Sequence, residues 1–109
     1  MSFFESEVVR AEMVEISELQ EEVYTKVFNF YKMDKNEKLE HIDLLQKLIN
    51  KQKILYTRLS LSDDPEAQEM KKRISTSSVL MGLPENTDMN VIFNNMYDLI
   101  DKMRDQIDC

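Results

Sequence analysis

Residues 8–28, VVRAEMVEISELQEEVYTKVF, decide the fold, because their apolar side chains recur at the spacing of an α-helix. Steps of three, four and seven residues separate the apolar positions, and the glutamates of this stretch fall mostly off the stripe. The apolar stripe consists of Val9, Met13, Ile16, Val23, Val27 and Phe30. Neither glycine nor proline interrupts it. We therefore predict one amphipathic helix over residues 3–30, opened by a capping box in which Ser2 pairs with Glu5.

A second helix is predicted over residues 35–59, after a short turn. Asp34 precedes it and is a good N-cap residue, with Glu37 in the first helical turn. Leucine and isoleucine side chains then recur at helical spacing as far as Leu59. Two long helices joined by a short turn run antiparallel, so we expect a long helical hairpin.

The rest of the chain predicts two shorter helices, over residues 65–81 and 88–107. Asp64 and Pro65 form a typical helix start, since proline is tolerated at the first helical position. Gly82 is suited to the left-handed conformation that often follows a helix end. The last segment carries a continuous apolar face, whereas the stripe of the third helix is thin.

The composition supports an all-α protein. The 109 residues include one glycine and two prolines, too few for the many turns of an all-β fold. The length fits a single domain over residues 1–109. The third and fourth helices are shorter than the hairpin, so part of its apolar stripe is expected to stay uncovered. We therefore predict a helical-bundle homodimer.

The charge distribution limits the classes of partner. The net charge is −7, with an acidic first helix and a basic second helix that should attract each other. Non-specific nucleic-acid binding needs clustered basic residues, so a nucleic-acid partner is not expected. No apolar run reaches the length of a membrane span, and the first residues are unlike a secretory signal. With a single cysteine, these features favour a cytoplasmic protein without a membrane partner.

The residue types that usually build catalytic and metal sites are scarce. His41 is the one histidine, and Glu37 lies one helical turn before it. One such pair is too little for a helical di-iron site, so His41 is expected to be an ordinary histidine on the helix surface. Cys109 follows Asp105 and Asp108, which do not favour a thiolate. We therefore expect no catalytic residue, no metal, no cofactor and no enzymatic activity.

A basic stripe on the second helix has more than one reading. Lys47, Lys51 and Arg58 recur at helical spacing. They would contact phosphate groups, or they would face water or the glutamates of the first helix. The acidic helices would alternatively imitate a nucleic-acid backbone. A stripe that faces the glutamates of the first helix, or water, is the simpler interpretation.

Aromatic and methionine side chains are the candidate interaction residues. Consecutive aromatic residues point around a helix, so one face cannot bury them all. Either neighbouring helices or a second chain would cover them, and a second chain is favoured. Methionine fills irregular cores, but it also forms adaptable binding surfaces. The candidates are Phe3, Phe4, Phe28, Phe30, Tyr31, Met89, Met96 and Met103.

Four segments carry a resemblance to a known family. They are residues 1–9 (MSFFESEVV), 55–66 (LYTRLSLSDDPE), 81–84 (MGLP) and 88–91 (DMNV). With them, most of the chain resembles a family of short uncharacterised proteins found in cyanobacteria and their myovirus-type phages. That family is a domain of unknown function. The resemblance implies an intracellular setting and supplies no catalytic residues.

These observations together predict a non-catalytic, acidic, all-helical interaction protein. Its partner would be a protein, and a host protein if a phage encodes the chain. The sequence does not identify that partner. The alternative is a structural or assembly component of a phage virion.

Overall fold

The computed structural model describes residues 2–80, 82 and 88–108, and this part of the chain is helical without a strand. The helices are α1 (Glu7–Val27), α2 (Lys35–Leu61), α3 (Pro65–Leu80) and α4 (Met89–Asp108). Two short 3-10 turns lie at Phe3–Glu5 and Phe30–Lys32. The prediction of an all-α protein with four helices is confirmed.

The start of α1 differs from the prediction. Ser6, not Ser2, is the N-cap, and its hydroxyl oxygen accepts a hydrogen bond from the Val9 amide at 3.5 Å. Ser2 makes no side-chain cap bond, and the residues after it form a separate 3-10 turn. The predicted capping box is wrong, because the Glu5 amide donates to the Ser2 backbone carbonyl at 3.1 Å and not to the Ser2 hydroxyl.

The end of α1 is also earlier than the predicted residue 30. The helix ends at Val27, and Asn29 has φ −101° and ψ 5°, outside the helical region. The second 3-10 turn follows directly, and its C-cap Met33 is extended. This change of direction leads the chain into α2.

The predicted start of α2 is confirmed. The Asp34 carboxylate accepts a hydrogen bond from the Glu37 amide at 2.8 Å, as an N-cap should. The helix continues to Leu61, two residues beyond the predicted end. No glycine or proline comes before Pro65, so nothing in the sequence stops the helix at residue 59. The chain leaves the helix at Ser62, which is extended.

One carboxylate fixes the start of α3 and also holds the first residues of the chain. The Asp64 side chain accepts a hydrogen bond from the Glu66 amide at 2.9 Å, which confirms its predicted capping role. Its second oxygen accepts a short hydrogen bond from the Phe3 amide, 61 positions away in sequence. We call this contact the Phe3–Asp64 joint. It connects the first 3-10 turn to α3.

The end of α3 agrees with the predicted helix stop. The helix ends at Leu80, whereas the predicted last residue, Met81, lies outside the described residues. Gly82 has φ +96°, so the prediction of a left-handed glycine is confirmed. Residues with a side chain rarely adopt this conformation, which explains the placement of the one glycine here.

The last helix lies within one residue of its predicted bounds. The Asp88 carboxylate accepts a hydrogen bond from the Asn90 amide at 2.9 Å. The helix α4 then runs over Met89–Asp108 without interruption. Its continuous apolar face, visible in the sequence, accounts for this agreement.

The apolar stripe of α1 packs on α2. Buried residues of the two helices form one cluster, with further leucines of α2 against it: Ile16, Leu19, Val23 and Leu48, then Leu44, Leu45 and Leu55. Side-chain contacts pair early residues of α1 with late residues of α2, such as Glu12 with Arg58. The Phe30 ring, after α1, contacts His41 near the start of α2.

The helix α4 packs on a different side of α2. Phe93 and Ile100 are buried, and the Phe93 ring centroid lies 6.1 Å from that of Tyr56. The Arg104 guanidinium binds the Asp43 carboxylate at 2.8 Å. Because α3 also packs on α2, that helix is the centre of the fold, and its Ile42 is fully buried.

We expect Ile42→Ala to lower the free energy of unfolding by about 2–4 kcal/mol, because it leaves a cavity in the core. Ile54 lies on the same helix with half of its side chain exposed, so Ile54→Ala is the matched control. Its cost should stay below about 1 kcal/mol. Urea unfolding followed by circular dichroism measures both. Equal costs for the two variants would contradict the central position of α2.

We expect Asp64→Ala to lower the free energy of unfolding by about 2 kcal/mol, since it removes a helix cap and the Phe3–Asp64 joint. Asp63→Ala is the control, because Asp63 is adjacent and exposed. Thermal unfolding compares the two variants. Amide hydrogen exchange at Phe3 should accelerate in the Asp64 variant alone, and unchanged exchange there would argue against the joint.

Candidate functional site

Three exposed aromatic side chains lie at the end of α1 and in the turn after it. Tyr24 is on the last part of α1, Phe28 is its C-cap, and Tyr31 lies in the second 3-10 turn. Phe28 is 81% exposed and Tyr31 is 73% exposed. We call Tyr24, Phe28 and Tyr31 the aromatic tip. Phe28 and Tyr31 were candidates from the sequence, and neither is covered by a neighbouring helix.

Phe30, a candidate in the same segment, is placed differently. Its ring centroid lies 5.5 Å from the His41 imidazole, and the Lys38 ammonium lies 5.6 Å from the ring centroid. A neighbouring helix therefore covers part of Phe30, one of the two alternatives that the sequence left open. This ring holds the turn against α2, so it is less available to a partner than Phe28.

Phe3 and Phe4 lie at the opposite end of α1 from the aromatic tip. Their rings meet edge to face with centroids 5.1 Å apart, and both residues are half-buried. Phe4 and Met70 of α3 line a shared cleft of about 200 Å³. The structure thus brings this pair against α3 and not to the aromatic tip.

The three candidate methionines lie on α4. Met96 is exposed, and Met89 and Met103 are half-buried. Leu99, which lies between Met96 and Met103 in the sequence, is 59% exposed. These side chains form part of an apolar stripe beside the face that packs on α2, so they are not a continuation of the buried core.

The basic stripe of α2 is used in part by contacts with α1. The Lys51 ammonium forms an ion pair with Glu15, and Arg58 binds Glu12 at 3.0 Å. The hydrogen bond from Lys51 and the charge of its ammonium lower the pKa of the Glu15 carboxyl. The interpretation that the stripe faces the glutamates of the first helix therefore describes Lys51 and Arg58. Such exposed pairs contribute little to stability, because water and salt screen them.

His41 is not on the surface, and that sequence prediction is wrong. Only 3% of the residue is exposed, because Phe30 packs against it from the turn. Its Nδ1 atom finds no hydrogen-bond partner among the residues that the structure describes. Burial lowers the pKa of the imidazole below its usual value of 6.5, and the nearby Lys26 ammonium lowers it further.

A cleft of about 560 Å³ lies beside His41, near the aromatic tip. Its walls carry charges of both signs together with apolar side chains: Glu22, Lys26, Lys32, Glu37, Glu40 and Leu44. One of these pairs, Lys26 with Glu22, already forms an ion pair at 3.2 Å. The cleft is a mixed-charge recess with three carboxylates and two ammonium groups, so the two signs largely balance.

Within the described part of the chain, no cluster of three or more histidine, cysteine or carboxylate residues could hold a metal ion. Cys109, predicted as an unreactive terminal thiol, lies outside the described residues. None of the described helices is both long enough and apolar enough to cross a membrane.

The sequence reasoning missed some of the exposed apolar residues. Tyr24 and Leu99 were not candidates, although both are well exposed. A helical projection could have found Tyr24, since it lies four residues before Phe28 and so on the same flank. Leu99 was grouped with the apolar face of α4, and only its packing shows which part of this face is buried.

Comparison with known proteins gives one match. A family model described as "Domain of unknown function (DUF1825)" matches residues 1–107. No curated protein matches the chain, and no solved structure does.

We expect the pKa of His41 to lie below 6.5. The unfolded chain then holds more protons than the folded chain between the two pKa values, so acidification through this interval lowers the free energy of unfolding. The imidazole C2–H resonance followed against pH measures the pKa directly, because the chain has one histidine. His41→Gln should flatten the pH dependence of stability in the same interval. A pKa of 6.5 or above would contradict the buried position.

Proposed function

The chain belongs to the family of the domain of unknown function DUF1825, and we propose that it is a non-catalytic interaction protein. The observation that carries this proposal is the aromatic tip, where Phe28 and Tyr31 are largely exposed. Large aromatic side chains are the residues that most often dominate binding energy at protein interfaces. The tip is therefore the proposed anchor for a protein partner.

The exposure of the aromatic tip is costly for the isolated chain. Complete burial of one phenylalanine side chain gains about 1.5–3 kcal/mol, and the fold gains little of this from Phe28. In the same turn, the neighbouring Phe30 does pack against α2. The segment can thus bury an aromatic ring, yet it leaves two others in solvent. A partner with an apolar pocket would recover that free energy.

The proposal of a non-catalytic protein is supported by how the charged side chains are used. Glu15 pairs with Lys51 and Glu12 with Arg58, so these groups join helices. The buried imidazole of His41 packs against a ring, and its lowered pKa favours the neutral form. Nucleophilic catalysis would instead need a nucleophile within hydrogen-bond reach of a base.

The kind of partner follows from the resemblance and from the tip. Because the chain resembles proteins of cyanobacteria and their phages, we propose that its partner is a host protein in the cytoplasm. It would offer an apolar pocket for Phe28 and Tyr31, since these rings supply the contact. We further propose that the working form is a homodimer, which leaves Phe28 and Tyr31 free for this contact.

We expect Phe28→Ser combined with Tyr31→Ser to abolish partner capture, because it removes both apolar anchors. The full chain, immobilised, is exposed to a cyanobacterial lysate, and captured proteins are identified by mass spectrometry. A captured protein is then purified, and its dissociation constant should rise at least tenfold for the variant.

The matched control is Val14→Ser combined with Val91→Ser, which removes two exposed apolar side chains outside the tip. It should capture the same proteins as the unchanged chain. The proposal fails if the tip variant and the control capture the same proteins with equal affinity.

A structural or assembly role in a phage virion is the second candidate. The chain is extended for its size, with a radius of gyration of 15.8 Å, and extended helical proteins suit repeated assemblies. Washed phage particles decide between the candidates. Peptides of this chain at the level of other virion proteins would support the structural role, and their absence would favour the free interaction protein.

A further inference from the structure

The helix α4 carries two apolar stripes, and α2 covers one of them. Phe93 and Ile100 are buried in the fold. The second stripe follows at steps of four, three and four residues, without a charge: Ile92, Met96, Leu99 and Met103. Met96 and Leu99 are exposed, and the other two are half-buried. A stripe with this spacing is the kind that packs against another helix.

The helix α1 has a corresponding exposed flank near its end. Tyr24 and Val27 are both exposed there. Tyr24 lies nine residues after Glu15, which is half a turn around a helix with 3.6 residues per turn. Since Glu15 forms the ion pair with Lys51 of α2, Tyr24 points away from the charged contacts.

The helix α2 shows half-buried apolar residues between these two flanks. Leu45 lies two residues from Asp43, and Ile49 lies two residues from Lys51, which is about 200° around the helix in each case. Because Asp43 and Lys51 form ion pairs, Leu45 and Ile49 are on the side away from them. The contacts of α4 with Asp43 and Asn50 place Leu99 and Met103 at the level of Ile49 and Leu45 along α2.

All these residues therefore share one side of the molecule, and none of them is charged. We call it the uncharged side; its members are Tyr24, Val27, Leu45, Ile49, Met96, Leu99 and Met103. The ion pairs Glu15–Lys51 and Asp43–Arg104 and the hydrogen bond from Tyr97 to Asn50 lie on the opposite side. An uncharged side this long is unusual in a chain with 32% charged residues.

The accessible surface area and the radius of gyration indicate how much surface another protein could cover. The chain exposes 7808 Å², whereas a compact monomer of 13.0 kDa exposes about 6,300 Å². The radius of gyration is 15.8 Å, compared with about 13 Å for a compact domain of this length. About 1,500 Å² per copy is thus available beyond the usual surface.

We propose that a second copy of this chain covers the uncharged side, so that two copies pack with these sides together. Burial of the excess area on both copies would remove about 3,000 Å², which is typical of obligate homodimers. Two chains with a net charge of −7 each repel, and the uncharged side is where they can approach without placing like charges in contact.

The methionines of the second stripe suit this role. An unbranched side chain adapts to an irregular opposing surface, so Met96 and Met103 can fill gaps between the copies. This inference rests on the homodimer that we propose as the working form. It does not depend on Phe28 and Tyr31, the two anchors proposed for the partner; of the aromatic tip, Tyr24 alone also belongs to the uncharged side.

Sedimentation velocity of the full chain over a dilution series tests the inference. The unchanged chain should sediment as a species of twice 13.0 kDa. Leu99→Glu and Met96→Glu should each raise the dimer dissociation constant at least tenfold, because they place a charge in the interface. Val91→Glu is the control on the same helix, at an exposed residue outside both stripes.

Circular dichroism of each variant shows whether the helices are retained. An unchanged chain that sediments as a monomer throughout would overturn the inference, as would equal weakening by Leu99→Glu and Val91→Glu. The combined change at Phe28 and Tyr31 separates the two proposals. It should leave the dimer intact while partner capture is lost, and a dimer lost in this variant would place the interface at the tip instead.

Discussion

The burial of α2 on several sides is the constraint on which the rest of the structure depends. Each of the other long helices packs on it, and its Ile42 is fully buried. Since apolar positions are needed on more than one flank, the charged contacts of α2 are confined to the remaining one. The ion pairs to Glu15 and Arg104 lie there. The uncharged side lies opposite these charged contacts.

Local signals predicted the helices well because they depend on short-range chemistry. Asp34 and Asp64 cap helices as their positions in the sequence predict, and Gly82 takes the left-handed conformation. The apolar periodicity of α1 and α4 located both helices within a few residues. These features need only the neighbouring residues, so no knowledge of the tertiary fold was required.

The failures of prediction concern turns and side-chain packing that apolar periodicity does not show. Ser2 does not cap α1, because the residues after it form a separate 3-10 turn in which the Glu5 amide donates to the Ser2 carbonyl. His41 is buried because a ring from the preceding turn packs on it. For the candidate site, the sequence identified the exposed Phe28 and Tyr31 but could not separate them from Phe30. Which aromatic ring remains in solvent depends on the direction in which the chain enters α2.

The length of α2 sets a distance that matters for any paired form of the protein. Its 27 residues extend over about 40 Å, with the aromatic tip beside the first turn and the Phe3–Asp64 joint beyond the last. Two copies that lie head to tail would present their tips at opposite ends, about that distance apart. Binding would then be bivalent, and the avidity gained would favour targets whose own subunits repeat at a similar spacing.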